Sequence, residues 1–373
     1  MKAINEYISA SLAERKNKQS LRTLKQETSL IDFCSNDYLG FARSAELKSL
    51  YEHEVKKYPE YLLGSTGSRL LAGNDKFTEE LESEIAGFHN SEASLLFNSG
   101  YDANIGIFSS LPQRGDTIIC DQYIHASIID GVRLSHATRY VFIHNDLNSL
   151  EEKLKLAKGR IFIAIETVYS MDGDEAPLKE ICDLAERYNA AIIADEAHAT
   201  GVFGRQGRGL IDELGLESRI LARIITFGKA LGVHGAAVLG SNQLRSYLIN
   251  FARSFIYTTA SPFLNHLAVK VSYTYLQTGD HQSKLIERIQ LFKSKLDSHI
   301  NSISSRSGIQ ALIVPGNAKV RESAKELQNS GFDVRPILSP TVPEGAERLR
   351  ICLHNHNSLA EITNLCNKLN NIL

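Results

Sequence analysis

Short apolar runs recur through the middle of this chain: Ala93–Phe97, Thr117–Cys120, Tyr140–Ile143, Arg160–Ile165, Ala190–Asp195, Arg223–Thr226 and Ala236–Leu239. Between several of them the sequence turns to helical period, as in Leu178–Tyr188, where positions 178, 181, 182 and 185 are apolar. Strand-like runs alternating with amphipathic helices specify an α/β fold with a mostly parallel sheet covered on both faces. Sheets of that kind gather ligands at the carboxyl ends of their strands, so residues just after each run are the first candidates for chemistry.

A chain of 373 residues, 43% of them hydrophobic, can bury a large core without covalent staples. Its 41 basic residues against 43 acidic ones leave no excess to neutralise phosphates, which disfavours a nucleic-acid partner. No apolar run approaches the ~18 residues that span a bilayer, so no membrane partner is expected. The opening segment Met1–Lys18 reads as an amphipathic helix and lacks the apolar core of a signal peptide. Cys34, Cys120, Cys182, Cys352 and Cys366 are scattered without a C-x-x-C pair, which argues against a disulfide framework or a zinc knuckle. These features predict a cytoplasmic enzyme.

The pattern changes near Pro262. Leu264–Ile303 is helical in period, broken at Thr278-Gly279-Asp280. Shorter elements follow at Gln310–Val314, Lys319–Ser330, Phe332–Ile337, Arg348–Leu353 and Leu359–Leu373. The expected organisation is an N-terminal segment (1–45), a large α/β domain (46–265) and a smaller C-terminal α+β domain (266–373) that the N-terminal segment joins.

Several strand ends carry chemically telling residues. Gly64–Gly73 fits neither the dinucleotide nor the P-loop glycine spacing and reads as a tight loop before a helix at Phe77–Phe88. Asn98-Ser99-Gly100-Tyr101 follows a strand and opens a helix, an arrangement that suits a phosphate. Asp195 ends a buried strand, where a carboxylate is costly without a partner, and His198 follows it by three residues. Taken alone, Asp195 reads equally well as a helix cap or half of a salt bridge. Lys229, in Thr226-Phe-Gly-Lys229, would lose solvation after its strand and have its pKa lowered, as Schiff-base chemistry requires. A lysine for an aldehyde, an Asp for a pyridinium nitrogen, a phosphate cradle at Ser99–Tyr101 and an aromatic cover in His125 together fit pyridoxal 5'-phosphate (PLP).

Over nearly its entire length the chain resembles the α-oxoamine synthases of PLP fold type I. The matching segments are Ser35-Asn-Asp-Tyr-Leu-Gly40, Gly64–Gly73, Ser99-Gly-Tyr-Asp-Ala-Asn104, His125-Ala-Ser127, Tyr169-Ser-Met-Asp-Gly173, Asp195-Glu-Ala-His198, Thr226-Phe-Gly-Lys229 and Pro340-Thr-Val-Pro343. The fold implied is a seven-stranded, mostly parallel sheet domain with a smaller C-terminal domain. Lys229 resembles the lysine that holds PLP and moves the substrate Cα proton, Asp195 the partner of the ring nitrogen, and His125 the imidazole on the ring face. His198 and Ser170 resemble contacts on the phenolic-oxygen side, and Gly100, Tyr101 and Thr226 the cofactor-loop and phosphate positions. Thr258 and Thr259 resemble a phosphate contact from a second subunit, which implies a homodimer with shared sites. Arg22, Asn36, His125, Thr341 and Arg350 match substrate-binding positions; without the resemblance, Arg22 and Arg350 would read as ordinary surface or ion-pairing residues. The activity implied is decarboxylative condensation of L-alanine with a pimeloyl thioester, carried on coenzyme A or an acyl carrier protein, in biotin biosynthesis. A sibling activity with glycine or serine and another acyl-CoA is the alternative. A non-catalytic partner subunit would have lost Lys229, which is present here. Thr78, Leu338 and Asn357 depart from the commoner family pattern. His354 and His356 alternate along an expected strand, but two ligands without a third predict no metal site.

Overall fold

The computed structural model describes residues 1–18, 20–24 and 29–373. They fall into two compact units, Met1–Leu30 and Ile31–Leu373. In the first, Lys2–Asn17 is a helix that leaves Ile4, Tyr7, Ile8 and Leu12 exposed. Among the described residues no helix is long and apolar enough to cross a membrane.

In the second unit the strands, in chain order, are β1 (Ile31–Asp32), β2 (Ala93–Phe97), β3 (Thr117–Asp121), β4 (Thr138–Phe142), β5 (Ile161–Glu166), β6 (Ala190–Asp195), β7 (Ala222–Thr226), β8 (Ala236–Gly240), β9 (Ile309–Ile313), β10 (Phe332–Asp333), β11 (Arg335–Ile337) and β12 (Arg348–Cys352). Each apolar run of the sequence is thus a strand of one seven-stranded sheet, ordered β2-β8-β7-β6-β5-β3-β4. The pairings are parallel except where β8 runs against β2 and β7. Alternate residues feed two cores. Ile118, Cys120, Ile193 and Ile224 pack with Ile107, Phe108 and Ile128 on one face, while Ile119, Ile163, Ile192 and Ile225 pack with Leu81, Ile85 and Ile181 on the other. In the inner strands side chains on both faces are therefore apolar, which is why they read as continuous runs, whereas edge strand β4 leaves Thr138, Arg139 and Val141 exposed.

The C-terminal part carries a three-stranded antiparallel sheet, β11-β12-β9. Three expectations need correction here. The helical run ends early: Phe263–Leu276 and His281–Lys295 are helices, but residues 296–303 are not. Asp297, Ser298 and Asn301 favour turns, and Ile303 donates to Ala311 O, which turns the chain into an edge contact with β9. The run Phe332–Ile337 is two strands, because the chain changes partners at Val334: β10 pairs with β1 and β11 with β12. His354 and His356 lie in a turn beyond β12, closed by the Asn357 side chain accepting from His354 N at 3.0 Å.

A buried charge pair ties the sheet to the loops behind the site. Arg223 on β7 meets Glu196 at 2.6 Å, with side-chain exposures of 4% and 0%. Glu196 also accepts from Ile211 N, and Arg223 also donates to the carbonyls of His89 and Arg208. Because every polar atom there is satisfied, removal of one partner strands a charge. Glu196→Ala is expected to lower the unfolding free energy by about 3–5 kcal/mol, read from the denaturant midpoint. A loss below about 1 kcal/mol, the range of exposed pairs, would show that the pair contributes nothing specific.

Candidate active site

A cleft of about 250 Å3 opens at the carboxyl ends of the central strands. Asn36, Gly100, Tyr101, His125, Asp195, His198, Thr226 and Lys229 all line it. They come from segments far apart in sequence, brought together because β2, β3, β6 and β7 end at the same edge of the sheet.

Asp195, the last residue of β6, is buried. Its carboxylate accepts from Asn104 Nδ2 at 2.8 Å and from Ala197 N at 2.9 Å, both neutral donors. The Asn104 amide also donates to Ser127 Oγ at 3.0 Å. That hydroxyl lies 2.7 Å from His125 Nδ1, which in turn accepts from Ser127 N. With Nδ1 acting as acceptor, the His125 proton sits on Nε2. Burial lowers the His125 pKa, so the ring is a neutral imidazole at the cleft wall.

Lys229 lies past the end of β7 with Nζ 2.8 Å from His198 Nε2. Burial lowers its pKa to about 8, against the opposing pull of the Asp195 and Glu166 carboxylates. His198 is buried, and burial first, then the Lys229 charge, pushes its pKa well below the usual imidazole range. Its Nδ1 is 2.7 Å from Tyr38 Oη, and that hydroxyl donates to Asn36 Oδ1 at 3.1 Å. Arg350 Nη2 donates to the same Asn36 oxygen at 2.9 Å. Arg350 can only donate, so the directions are fixed along the chain: Lys229 to His198, His198 to Tyr38, Tyr38 to Asn36. The remaining Arg350 donors meet Ser170 O at 2.7 Å and Cys352 Sγ at 3.0 Å. None of these partners is acidic.

The other end of the cleft is suited to an anion. Ser99 caps the helix Gly100–Ser110, whose first N–H groups have no intrahelical partner. A Cβ at Gly100 would stand 2.5 Å from Thr226 Cγ2, so only glycine allows this close approach. Thr226 Oγ1 is buried without a hydrogen-bond partner. Phosphate at the helix start and Thr226, a ring nitrogen at Asp195 and an aldehyde at Lys229 would satisfy this donor set, so the residues present fit PLP.

Other candidates lie off the cleft. Ser170 is buried beside it, holding Arg350 through its carbonyl. Thr258 and Thr259 do not line the cleft: Asn98, one residue before Ser99, donates to Thr258 Oγ1 at 3.0 Å and to Thr259 O at 2.9 Å. Thr341 is exposed in the loop after β11, and Arg22 is exposed in the N-terminal unit. His354 is committed to Asn357 and to Ser35 O, and Asp32 to Arg43. The departure at Thr78 has a counterpart, since its hydroxyl meets buried His266 Nδ1 at 2.8 Å.

Sequence reasoning missed Glu166 and the linking roles of Asn104 and Ser127. Glu166 ends β5 directly opposite Asp195 on β6, one residue beyond the apolar run. Burial, and then the Asp195 charge, raise its pKa to about 8. Its Oε2 accepts from Ser170 N, whereas buried Oε1 has no hydrogen-bond partner. The signal, an acidic residue closing a strand, was the same one that marked Asp195.

Residues 28–369 match the family model for aminotransferase class I and II. An 8-amino-7-oxononanoate synthase from Emericella nidulans is 41% identical over 389 residues, spanning 98% of this chain and 94% of that protein. The crystal structure of 8-amino-7-oxononanoate synthase from Francisella tularensis superposes with a TM-score of 0.79 at 29% identity, covering 92% of this chain and 98% of that one. A structure of SPT with PLP reaches a TM-score of 0.89 at 25% identity, covering 98% and 97%. Taken with the cleft, these likenesses show that the chain belongs to the aminotransferase class I and II family and, within it, to the α-oxoamine synthases, PLP-dependent acyltransferases of fold type I.

Proposed function

We propose that this enzyme condenses L-alanine with a pimeloyl thioester to give 8-amino-7-oxononanoate, carbon dioxide and free thiol, as a step of biotin biosynthesis. The observation that carries the reading is the hydrogen-bonded chain from Arg350 through Asn36, Tyr38 and His198 to Lys229. It fixes a guanidinium without an acidic partner at a set distance from an amine whose pKa burial lowers to about 8, as an amino-acid substrate requires. Arg350 binds the alanine carboxylate, assisted by Asn36. Bound PLP supplies an electron sink that acidifies the substrate Cα–H. Lys229, with its pKa lowered to about 8, takes that proton at Nζ and later returns it. Asp195 keeps the ring nitrogen protonated, and neutral His125 covers the ring face. His198 and Ser170 serve the phenolic-oxygen side; Gly100, Tyr101 and Thr226 serve the phosphate. Arg22 and Thr341 are assigned to the acyl substrate, which is carried on coenzyme A or an acyl carrier protein. The chain is divided into an N-terminal segment (1–45), a large PLP-binding domain (46–265) and a small C-terminal domain (266–373). The enzyme works in the cytoplasm as a homodimer.

The direct test supplies the purified holoenzyme with pimeloyl-CoA and L-alanine, glycine or L-serine, and follows thiol release. L-Alanine is expected to give the highest kcat/KM; faster turnover with glycine or serine would make the chain a sibling synthase. The dimer has its own test. Lys229→Ala and the double variant Thr258→Ala, Thr259→Ala should each be inactive, and subunit exchange between them should restore one working site per hybrid dimer. Demonstrated exchange without recovered turnover would mean that each site is built within one chain.

A further inference from the structure

His144 lies two residues beyond β4, outside the cleft, and both of its ring nitrogens face carboxylates. Nδ1 is 2.9 Å from Asp121 Oδ1 at the end of β3, and Nε2 is 2.8 Å from Asp174 Oδ2 in the loop after β5. A carboxylate offers only acceptors, and a neutral imidazole has only one N–H. A single ring that bridges two carboxylates is therefore an imidazolium. The surroundings hold that form in place: Tyr123 lies tilted by 30° against the ring at 4.5 Å and Tyr169 meets it edge-on at 4.4 Å. Burial raises the Tyr169 hydroxyl pKa, so that neighbour stays neutral. Asn145 adds its backbone N–H to Asp121 Oδ2 and its amide to Asp174 Oδ2.

The loop fixed by His144 is the one that touches Arg350. Tyr169 N donates to Asp174 O, which closes a turn around Ser170, and the Ser170 carbonyl accepts from Arg350 Nε. From the opposite side, Arg348, on the same strand as Arg350, pairs with Asp172. The loop is thus pinned to the sheet by one cation and to β12 by another, with the Arg350 guanidinium resting between the pins.

We propose that His144 is a positioning residue, an imidazolium clamp on residues 169–174 that orients Arg350 for the amino-acid carboxylate. The inference rests on the reading of Arg350 given above. Burial disfavours the charge and the Asp121 and Asp174 carboxylates favour it, and the carboxylates win: the His144 pKa is raised to about 9. The clamp is then fully present at neutral pH and is lost as pH rises through about 9.

Two measurements test it. Histidine-15N NMR of the full-length protein, with His144 assigned by its absence in His144→Asn or, should that chain not fold, His144→Gln, should show both ring nitrogens protonated at pH 8. A titration midpoint below about 8 would overturn the clamp. Spectrophotometric titration of the holoenzyme with L-alanine should show about a tenfold or greater loss of affinity in His144→Asn, while PLP affinity changes less than twofold. Unchanged L-alanine affinity, or an equal loss of PLP affinity, would also overturn it. Arg350→Ala separates the two readings. If that variant binds L-alanine normally, the carboxylate reading fails and takes the clamp's purpose with it. If it binds poorly while His144→Asn binds normally, the clamp alone is wrong.

Discussion

Asp195 is buried at the end of a strand, and its carboxylate is solvated by neutral donors only, the Asn104 amide and the Ala197 N–H. Its hydrogen bonds are met while its charge is not, and the rest of the cleft responds to that imbalance. Glu166, opposite it across β5 and β6, has its pKa raised to about 8 by burial and by this charge. Lys229 loses basicity through burial, but Asp195 stops the fall near 8, where an amine can still both give and take a proton. A cation held over the same carboxylate would gain far more than one in water, because the surrounding medium screens the pair poorly. The cleft therefore awaits a positively charged ring, which is what a protonated pyridine is.

Much of this arrangement is legible in the sequence, for a definite reason. Strands buried on both faces must be apolar throughout, so each announces itself, and the polar residue that interrupts a run marks the edge where ligands gather. Asp195, Lys229 and the Ser99–Tyr101 turn stand out by that rule. Glu166 obeys it too but lies one residue beyond the apolar run Arg160–Ile165. Asn104 and Ser127 sit inside helices, where one polar residue looks like any other, and their value depends on a register between β2, β3 and β6 that no local pattern encodes. The change of partner at Val334 is hidden for the same reason, since pairing with β1 rather than β12 is decided by residues some three hundred positions away. Thr258 and Thr259 show a different limit: within the chain they meet only Asn98 among the bonds described above, and the role proposed for them requires a second copy of the chain.

The same physics runs outward from the cleft. Arg350 is held by a carbonyl, an amide oxygen and a thiol, which leaves its charge free for a substrate. Fixing such a group costs conformational freedom, and that cost is met by ion pairs further out: Arg348 with Asp172, and His144 with Asp121 and Asp174. Compensated charges form the frame, while Asp195 and Arg350, whose hydrogen-bond partners carry no opposite charge, are the groups proposed to meet the reactants.

The role of Asp195 as an uncompensated charge is tested most directly by exchange of the alanine Cα proton in heavy water, without any acyl thioester. Asp195→Asn keeps the volume and can still hydrogen-bond, but it removes the charge proposed to hold the ring nitrogen protonated. One pKa unit at that nitrogen corresponds to about 1.4 kcal/mol, so a shift of several units slows proton removal by orders of magnitude. Wild-type holoenzyme should exchange the proton readily, and Asp195→Asn with cofactor fully bound should do so at least about a hundredfold more slowly. Exchange at the wild-type rate in that variant would contradict the role assigned to the Asp195 charge.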